Sequence, residues 1–188
     1  AKISDYTSGG YTIIKEDEGT ELLEDKVKEA VAAAVMSLAE SVDLEEQGCY
    51  VSPSITSEDE ALKTACETMN KYVGARITYQ FGDKSETLSG DEIHNWLTVN
   101  GTSVGINEGK ATEYVKKLAA SYDTAYKAKS LKTSYGKTVS ITGGSYGYKI
   151  NQAKEAATLV SLIKNGEQTS REPEYSQKGA SRTGNDYG

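Results

Sequence analysis
Residues 77–97, ITYQFGDKSETLSGDEIHNWL, decide how the rest of the chain is read, because they hold its only Phe (Phe81), only Trp (Trp96) and only His (His94). Ile77, Tyr79 and Phe81 alternate with polar residues, the period of a half-buried strand. Gly82-Asp83-Lys84 reads as a turn and residues 85–88 as a short return strand. Ser89 with Glu92 three residues on forms a capping box, so a helix is expected to start there. Ile93, Trp96 and Leu97 then share its inner face. Trp96 reads as a core anchor in preference to a ligand-facing ring. His94 falls on the wetter face and, with no second ligand at metal spacing, reads as a solvated side chain.

The outer limits come from length and composition. A chain of 188 residues is enough for one domain or two small lobes with a real core. Its longest apolar run is seven residues, 30–36, whereas a membrane span needs about 20. The chain begins at Ala1 and shows no leader, so it reads as a piece of a longer protein from which any targeting segment was left out. The net charge of −7 is unevenly spread, with sixteen acids against five bases in residues 1–67 and nine Lys against two acids in residues 109–154. An overall acidic molecule excludes nucleic acid as the expected partner, while the Lys-rich part leaves room for an anionic one.

In chain order, residues 1–10 read as loop and 11–14 as a short strand. A first helix follows Gly19-Thr20, with Leu23, Val27, Ala30, Val31, Ala34, Val35 and Leu38 as its stripe. Cys49-Tyr50-Val51 reads as a strand stopping at Pro53. Ser57 and Glu60 form a second capping box, opening a helix that buries Leu62, Ala65, Cys66, Met69 and Val73 and stops at Gly74. Val104 and Ile106 suggest a strand. Asn107 caps a helix with Ala111, Val115, Leu118, Ala119 and Tyr122 inward. Residues 123–136 read as a long connection. Val139 and Ile141, then Gly143-Gly144, then Tyr146, Tyr148 and Ile150 spell a β-hairpin. The last helix starts at Asn151, turns Ala153, Ala156, Val160 and Ile163 inward, and stops at Gly166. From Glu167 the polar composition suits a linker or an extended arm needing a neighbour. The fold class is therefore α+β: helices packed on short antiparallel sheets, in an elongated two-lobed unit with lobes of about 1–98 and 99–168. Gly10-Tyr11-Thr12-Ile13 also echoes in Gly147-Tyr148-Lys149-Ile150, each ahead of an apolar helix.

No pattern assembles an active site: there is no GxSxG, HExxH or Walker-type glycine loop, and no metal-ligand spacing. No catalytic residue, metal ligand or cofactor is expected. Cys49 follows Glu45-Glu46-Gln47, and acidic neighbours raise a thiol's pKa, the wrong direction for a nucleophile. Cys49 and Cys66 leave two readings open, free thiols or a disulfide, which needs Cα atoms about 6 Å apart. Tyrosine stands out, with thirteen in the chain and six of them (Tyr114, Tyr122, Tyr126, Tyr135, Tyr146, Tyr148) in the basic part. Such rings are ordinary sheet filler or, beside lysines, a surface for sugars and anions.

Three segments carry a family resemblance: ITYQFGDKSETLSGDEIHNWL, SVGINEGKATEYVKKLAASYDT and TSYGKTVSITGGSYGYKI. With residues 11–73 and the terminal REPEYSQKGASRTGNDYG, they resemble the peptidoglycan-binding domain (type 4) that precedes the YkuD-type catalytic domain of bacterial L,D-transpeptidases. The resemblance implies a secreted, membrane-anchored parent in a Gram-positive-type cell wall, with a C-terminal domain that cross-links peptidoglycan through a cysteine. The histidine and Ser-x-Gly-Cys motif of that domain are absent here, so the activity does not carry over to this fragment.

The expected function is then a non-catalytic module, residues 1–168, that positions or anchors a peptidoglycan cross-linking domain, with residues 169–188 as a linker toward it. Its expected partners are peptidoglycan or a wall polymer and the parent's catalytic domain, with no membrane contact, and its location is extracellular. The alternatives are a purely structural spacer or protein-interaction domain, and a cysteine enzyme using Cys49. Wall polymers such as teichoic acids are anionic, so contact is expected in the Lys-rich part. Within it, Lys132, Tyr135 and Lys137 lie in the irregular connection, where a ring is least expected to be buried, and are the candidate contact.

Overall fold
The structure is a computed structural model and describes residues 1–16, 19–141 and 144–179, with Leu131 described in its backbone only. The chain divides into two compact units, one made of Ala1–Asp5 with Thr12–Cys66, the other of Tyr6–Tyr11 with the chain from Glu67 onward. The expected lobes of about 1–98 and 99–168 are therefore not the units found. The reason is the core described below, which joins residues from both sides of the expected boundary.

In the first unit, β1 (Lys2–Ile3) pairs antiparallel with β2 (Ile13–Ile14), so part of the expected N-terminal loop is a strand. Helix α1 (Glu24–Met36) carries Glu24 and Asp25 in its first turn, where the positive end of the helix dipole favours them. Its apolar stripe is largely uncovered. Only Ala30 is buried, while Val35 and Leu38 are 68% and 89% exposed. Cys49-Tyr50-Val51 forms a bridge rather than a full strand, through Leu23 N–H to Cys49 O and Val51 N–H to Glu21 O. Cys49 and Cys66 are both buried, and no disulfide joins them.

Helix α2 (Glu60–Val73) runs through the division between the units. Leu62, Ala65, Cys66 and Met69 are buried as its periodicity predicts, while Val73 is half-buried. Its cap is Asp59, whose Oδ1 accepts from the N–H groups of Ala61 and Leu62 at 2.9 and 3.1 Å. Ser57, the expected cap, instead gives its backbone N–H to Glu16.

The second unit is built on β3 (Arg76–Phe81) and β4 (Lys84–Leu88), paired antiparallel with Phe81 opposite Lys84 across the Gly82-Asp83 turn. Gly82 has φ 73°, a conformation that costs glycine little. Helix α3 (Gly90–Ile93) starts after Ser89 and passes into a 3-10 turn, His94–Trp96, though the Ser89 side chain makes no capping bond. Leu97 does not continue this helix. It opens β5 (Leu97–Asn100), which pairs with β6 (Ser103–Ile106). Asn107 caps α4 (Glu108–Tyr122) by accepting from the N–H groups of Gly109 and Lys110, as predicted.

Strand β7 (Lys129–Lys132) pairs with β8 (Thr138–Ile141). The expected hairpin from residue 139 to 150 is thus not formed. Val139 and Ile141 pair backward, with Leu131 and Lys129, and Gly143 of the expected turn lies outside the described residues. Strand β9 (Lys149–Ile150) leads into α5 (Gln152–Asn165), which is capped by Asn151 and ended by Gly166 at φ 69°. Ala153 is exposed, and Glu155 and Leu159 take the inward positions beside Ala156, Val160 and Ile163.

Of the two readings for the tail, residues up to 177 take the extended arm. β10 (Gln168–Arg171) lies parallel to β3 and makes the sheet order β10-β3-β4. β11 (Tyr175–Gln177) pairs with β9. Residues 180–188 of the expected linker lie outside the described residues. The two Gly-Tyr echoes share a local device. The Tyr11 backbone is held by Asn70 through two bonds, and the Tyr148 backbone by Thr124 and Ala125. A Cβ on Gly147 would come within 2.7 Å of the Ala125 nitrogen, so the close approach needs glycine there.

One core serves this unit. Ile77, Tyr79 and Phe81 from β3 pack with Trp96, with Val115 and Leu118 from α4, and with Leu159 and Ile163 from α5. Burying a residue of this size contributes about 1.5–3 kcal/mol, so the cluster outweighs any local signal for a boundary near residue 98. The α+β class holds, with five helices among the described residues, the central one short, and with one parallel strand pair added to the antiparallel ones.

Candidate functional site
Between Asp123 and Glu155 the sequence has six lysines, four tyrosines and no acidic residue. The β7–β8 hairpin displays the middle of this stretch. Its register sets Lys132 opposite Thr138 and Ser130 opposite Ser140, so one face carries hydroxyls and an ammonium. Lys129, Val139 and Ile141 lie on the other face, with Val139 and Ile141 43% and 49% exposed.

The hairpin end is closed tightly. Thr133 N–H donates to Lys137 O and Gly136 N–H to Thr133 O, both at 2.9 Å, while Lys137 N–H donates to the Thr133 hydroxyl at 3.2 Å. This turn brings Lys132, Tyr135 and Lys137 onto one tip, with both lysines exposed and Tyr135 96% exposed. The expected irregular connection is therefore a shaped turn on paired strands.

Four further residues extend the surface and were not singled out as contacts in the sequence. Lys129 Nζ sits 5.8 Å from the centre of the Tyr146 ring, and Lys149 Nζ 5.4 Å from that of Tyr126. Both rings keep a large exposed area, which argues against sheet filler for Tyr126 and Tyr146. Tyr148 is buried and does act as filler, edge-on to Tyr175. The absence of acids between residues 123 and 155 was the signal that could have found this wider surface. Chemically it offers ammonium groups beside aromatic faces, with no carboxylate of its own stretch to neutralise them.

Cys49 is fully buried, and its thiol donates to Gln47 O at 3.9 Å. His94 is half-buried rather than solvated. Its ring stacks on Tyr6 at 4.2 Å and it bonds the Asn95 side chain at 2.9 Å. Trp96 is buried in the core. No group of three or more His, Cys, Asp or Glu among the described residues could hold a metal ion, and no described helix is long and apolar enough to cross a membrane.

Comparison with known proteins finds a family profile described as "Putative peptidoglycan binding domain", matching residues 55–171. Among solved structures, the chain is similar to the Ldtfm–avibactam carbamoyl enzyme, with TM-score 0.53 and 24% identity over 62% of this chain and 46% of that one. It is also similar to a mutant L,D-transpeptidase of Enterococcus faecium, with TM-score 0.50 and 23% identity over 63% of this chain and 46% of that one. The chain thus spans less than half the length of either solved chain, and at these identities the likeness is one of fold. A search of curated proteins finds no significant match. The profile covers more than half of the chain, from Ile55 to the last residue of β10, and the chain belongs to the peptidoglycan-binding domain family.

Proposed function
We propose that the chain is a non-catalytic module of a cell-wall L,D-transpeptidase, which holds a peptidoglycan cross-linking domain against the wall outside the cell. The reading rests on the family match, and the observation that carries it into this chain is the exposed hairpin tip of Lys132, Tyr135 and Lys137 in a Lys/Tyr stretch without acids of its own. Ammonium groups there attract wall phosphates and carboxylates, and the exposed rings offer flat faces to sugars. In the parent, the residues after β11 would lead toward the catalytic domain, with the preceding residues as the wall-facing module. The deep burial of Cys49 weighs against the cysteine-enzyme alternative, because substrate cannot reach its sulfur.

The exposed end of α1, with Val35, Met36 and Leu38 uncovered, favours a second reading as a protein-interaction unit. Sedimentation with insoluble peptidoglycan separates the two. The wall module pellets with purified sacculi and is released by salt; a protein-interaction unit or spacer stays in the supernatant at every salt concentration.

A further inference from the structure
Away from the hairpin, within the same unit, a cleft of about 390 Å³ opens between the α3 turn and α4. A second, of about 180 Å³, adjoins it, and the two share Glu92, Tyr114 and Lys117. The larger lies in the range of roughly 300–1,000 Å³ typical of small-ligand sites. Its aromatic side is Tyr114 with the edge of Trp96, ring centres 5.6 Å apart. Asp91 and Glu92 come from the α3 turn, and Lys110 and Lys117 from α4.

The polar groups of this cleft are unequally used. Asp91 accepts from Tyr6, Lys110 pairs with Glu113, and Glu86 accepts from Tyr122. Among the described residues, Glu92 and Lys117 form no ion pair, and the Tyr114 hydroxyl has no hydrogen-bond partner although its ring is half-buried. Burial pushes the Tyr114 phenol well above its ordinary pKa, and the carboxylates of Glu92 and Glu86 add to the shift, so the hydroxyl stays a donor in a negative field. A phenol face beside a carboxylate is a site for an ammonium group. Lys110 and Lys117, which flank Tyr114 on α4 and lie across the cleft from Glu92, suit a carboxylate.

We propose that this cleft binds the stem peptide of peptidoglycan, with an alkylammonium side chain held by Glu92 against Tyr114 and a peptide carboxylate held by Lys117 and Lys110. The ammonium–carboxylate chemistry comes from the cleft; its identification as stem peptide rests on the wall-binding reading. The hairpin then serves the anionic polymer and the cleft the peptide.

The chain's single tryptophan lies at this cleft, so its fluorescence reports occupancy. The probe is the tripeptide L-Ala-γ-D-Glu-L-Lys, compared with its Nε-acetyl form. Saturable change in Trp96 emission is expected with the free amine, with affinity about tenfold weaker for the acetylated peptide and about fivefold weaker for E92Q and for Y114F. Both variants sit where the native group has no protein partner, so folding is expected to be unchanged and is checked by circular dichroism. Equal binding of the two peptides, or wild-type affinity in both variants, would overturn the proposal. If the wild type sediments with sacculi but shows no saturable response to the tripeptide, the cleft assignment falls and the wall function stands. If the tripeptide binds while sedimentation fails, the wall function falls and the ammonium site stands.

Discussion
The hydroxyl of Tyr79 donates to a carboxylate oxygen of Glu155 at 2.6 Å, joining the middle of β3 to the first turn of α5 in a site where both side chains are fully buried. Arg171 Nη1 reaches the same oxygen at 2.8 Å, and the backbone N–H of Glu174 reaches the other. The buried charge is thus compensated by one cation and two hydrogen-bond donors, and it ties the strand β10 and the residues after it to the core.

Breaking this set from different sides should give graded losses. Glu155→Ala leaves Arg171 and two donors without their acceptor and is expected to cost about 3–5 kcal/mol. Tyr79→Phe removes one donor and is expected to cost about 1–3 kcal/mol. Chemical denaturation measures both; a Glu155→Ala loss no larger than that of Tyr79→Phe would show that the carboxylate is not the hub.

Glu174 gives a pH signature. Lys154, through a 2.9 Å hydrogen bond and its charge, holds this carboxyl below its ordinary 4.5, with Arg171 helping. A depressed carboxylate stabilises the fold above its unfolded pKa, and that contribution is lost as pH falls through the folded one. Lys154→Met should therefore be less stable than wild type above pH 4.5, with the gap closing at lower pH. Urea midpoints between about pH 7 and 3 test this, and a gap independent of pH would contradict it.

The start of α2 distinguishes a sequence motif from the cap in use. Asp59→Ala is expected to cost about 1 kcal/mol, the usual value of an N-cap. Ser57→Ala should cost less than Asp59→Ala, since the contacts of Ser57, through its backbone N–H and its hydroxyl, go to Glu16 and not to the first turn of α2. Thermal unfolding of the two variants decides between the residues, and equal losses would mean that Ser57 also supports the start of the helix.

At the hairpin, changing Lys132, Tyr135 and Lys137 together to alanine should leave stability within about 0.5 kcal/mol per site, because all three are exposed. Binding to sacculi should fall severalfold at low salt, with less difference at high salt, since screening reduces surface attraction beyond about 8 Å at physiological ionic strength. Unchanged sedimentation of the folded variant would remove this tip as the contact.

Local chemistry made much of this legible in the sequence. The Ile77-Tyr79-Phe81 alternation, the Gly82 turn, and the caps at Asn107 and Asn151 with the stop at Gly166 depend on residues within a turn or two of one another. Lys132, Tyr135 and Lys137 could be chosen as exposed because nothing in their surroundings offered a core. Tertiary structure alone decided which strands pair. Val139 and Ile141 could have turned forward to Tyr148 as well as back to Leu131, since backbone N–H and C=O groups carry no sequence label. The polar stretch at 168–171 became a strand because β3 offered an open edge 92 residues earlier in register. Glu155 is not among the inward residues that the periodicity of α5 gives, and it is buried because Tyr79, Arg171 and Glu174 surround it. A carboxylate enters a core only where donors from distant parts of the chain meet it, and no window of sequence contains them all.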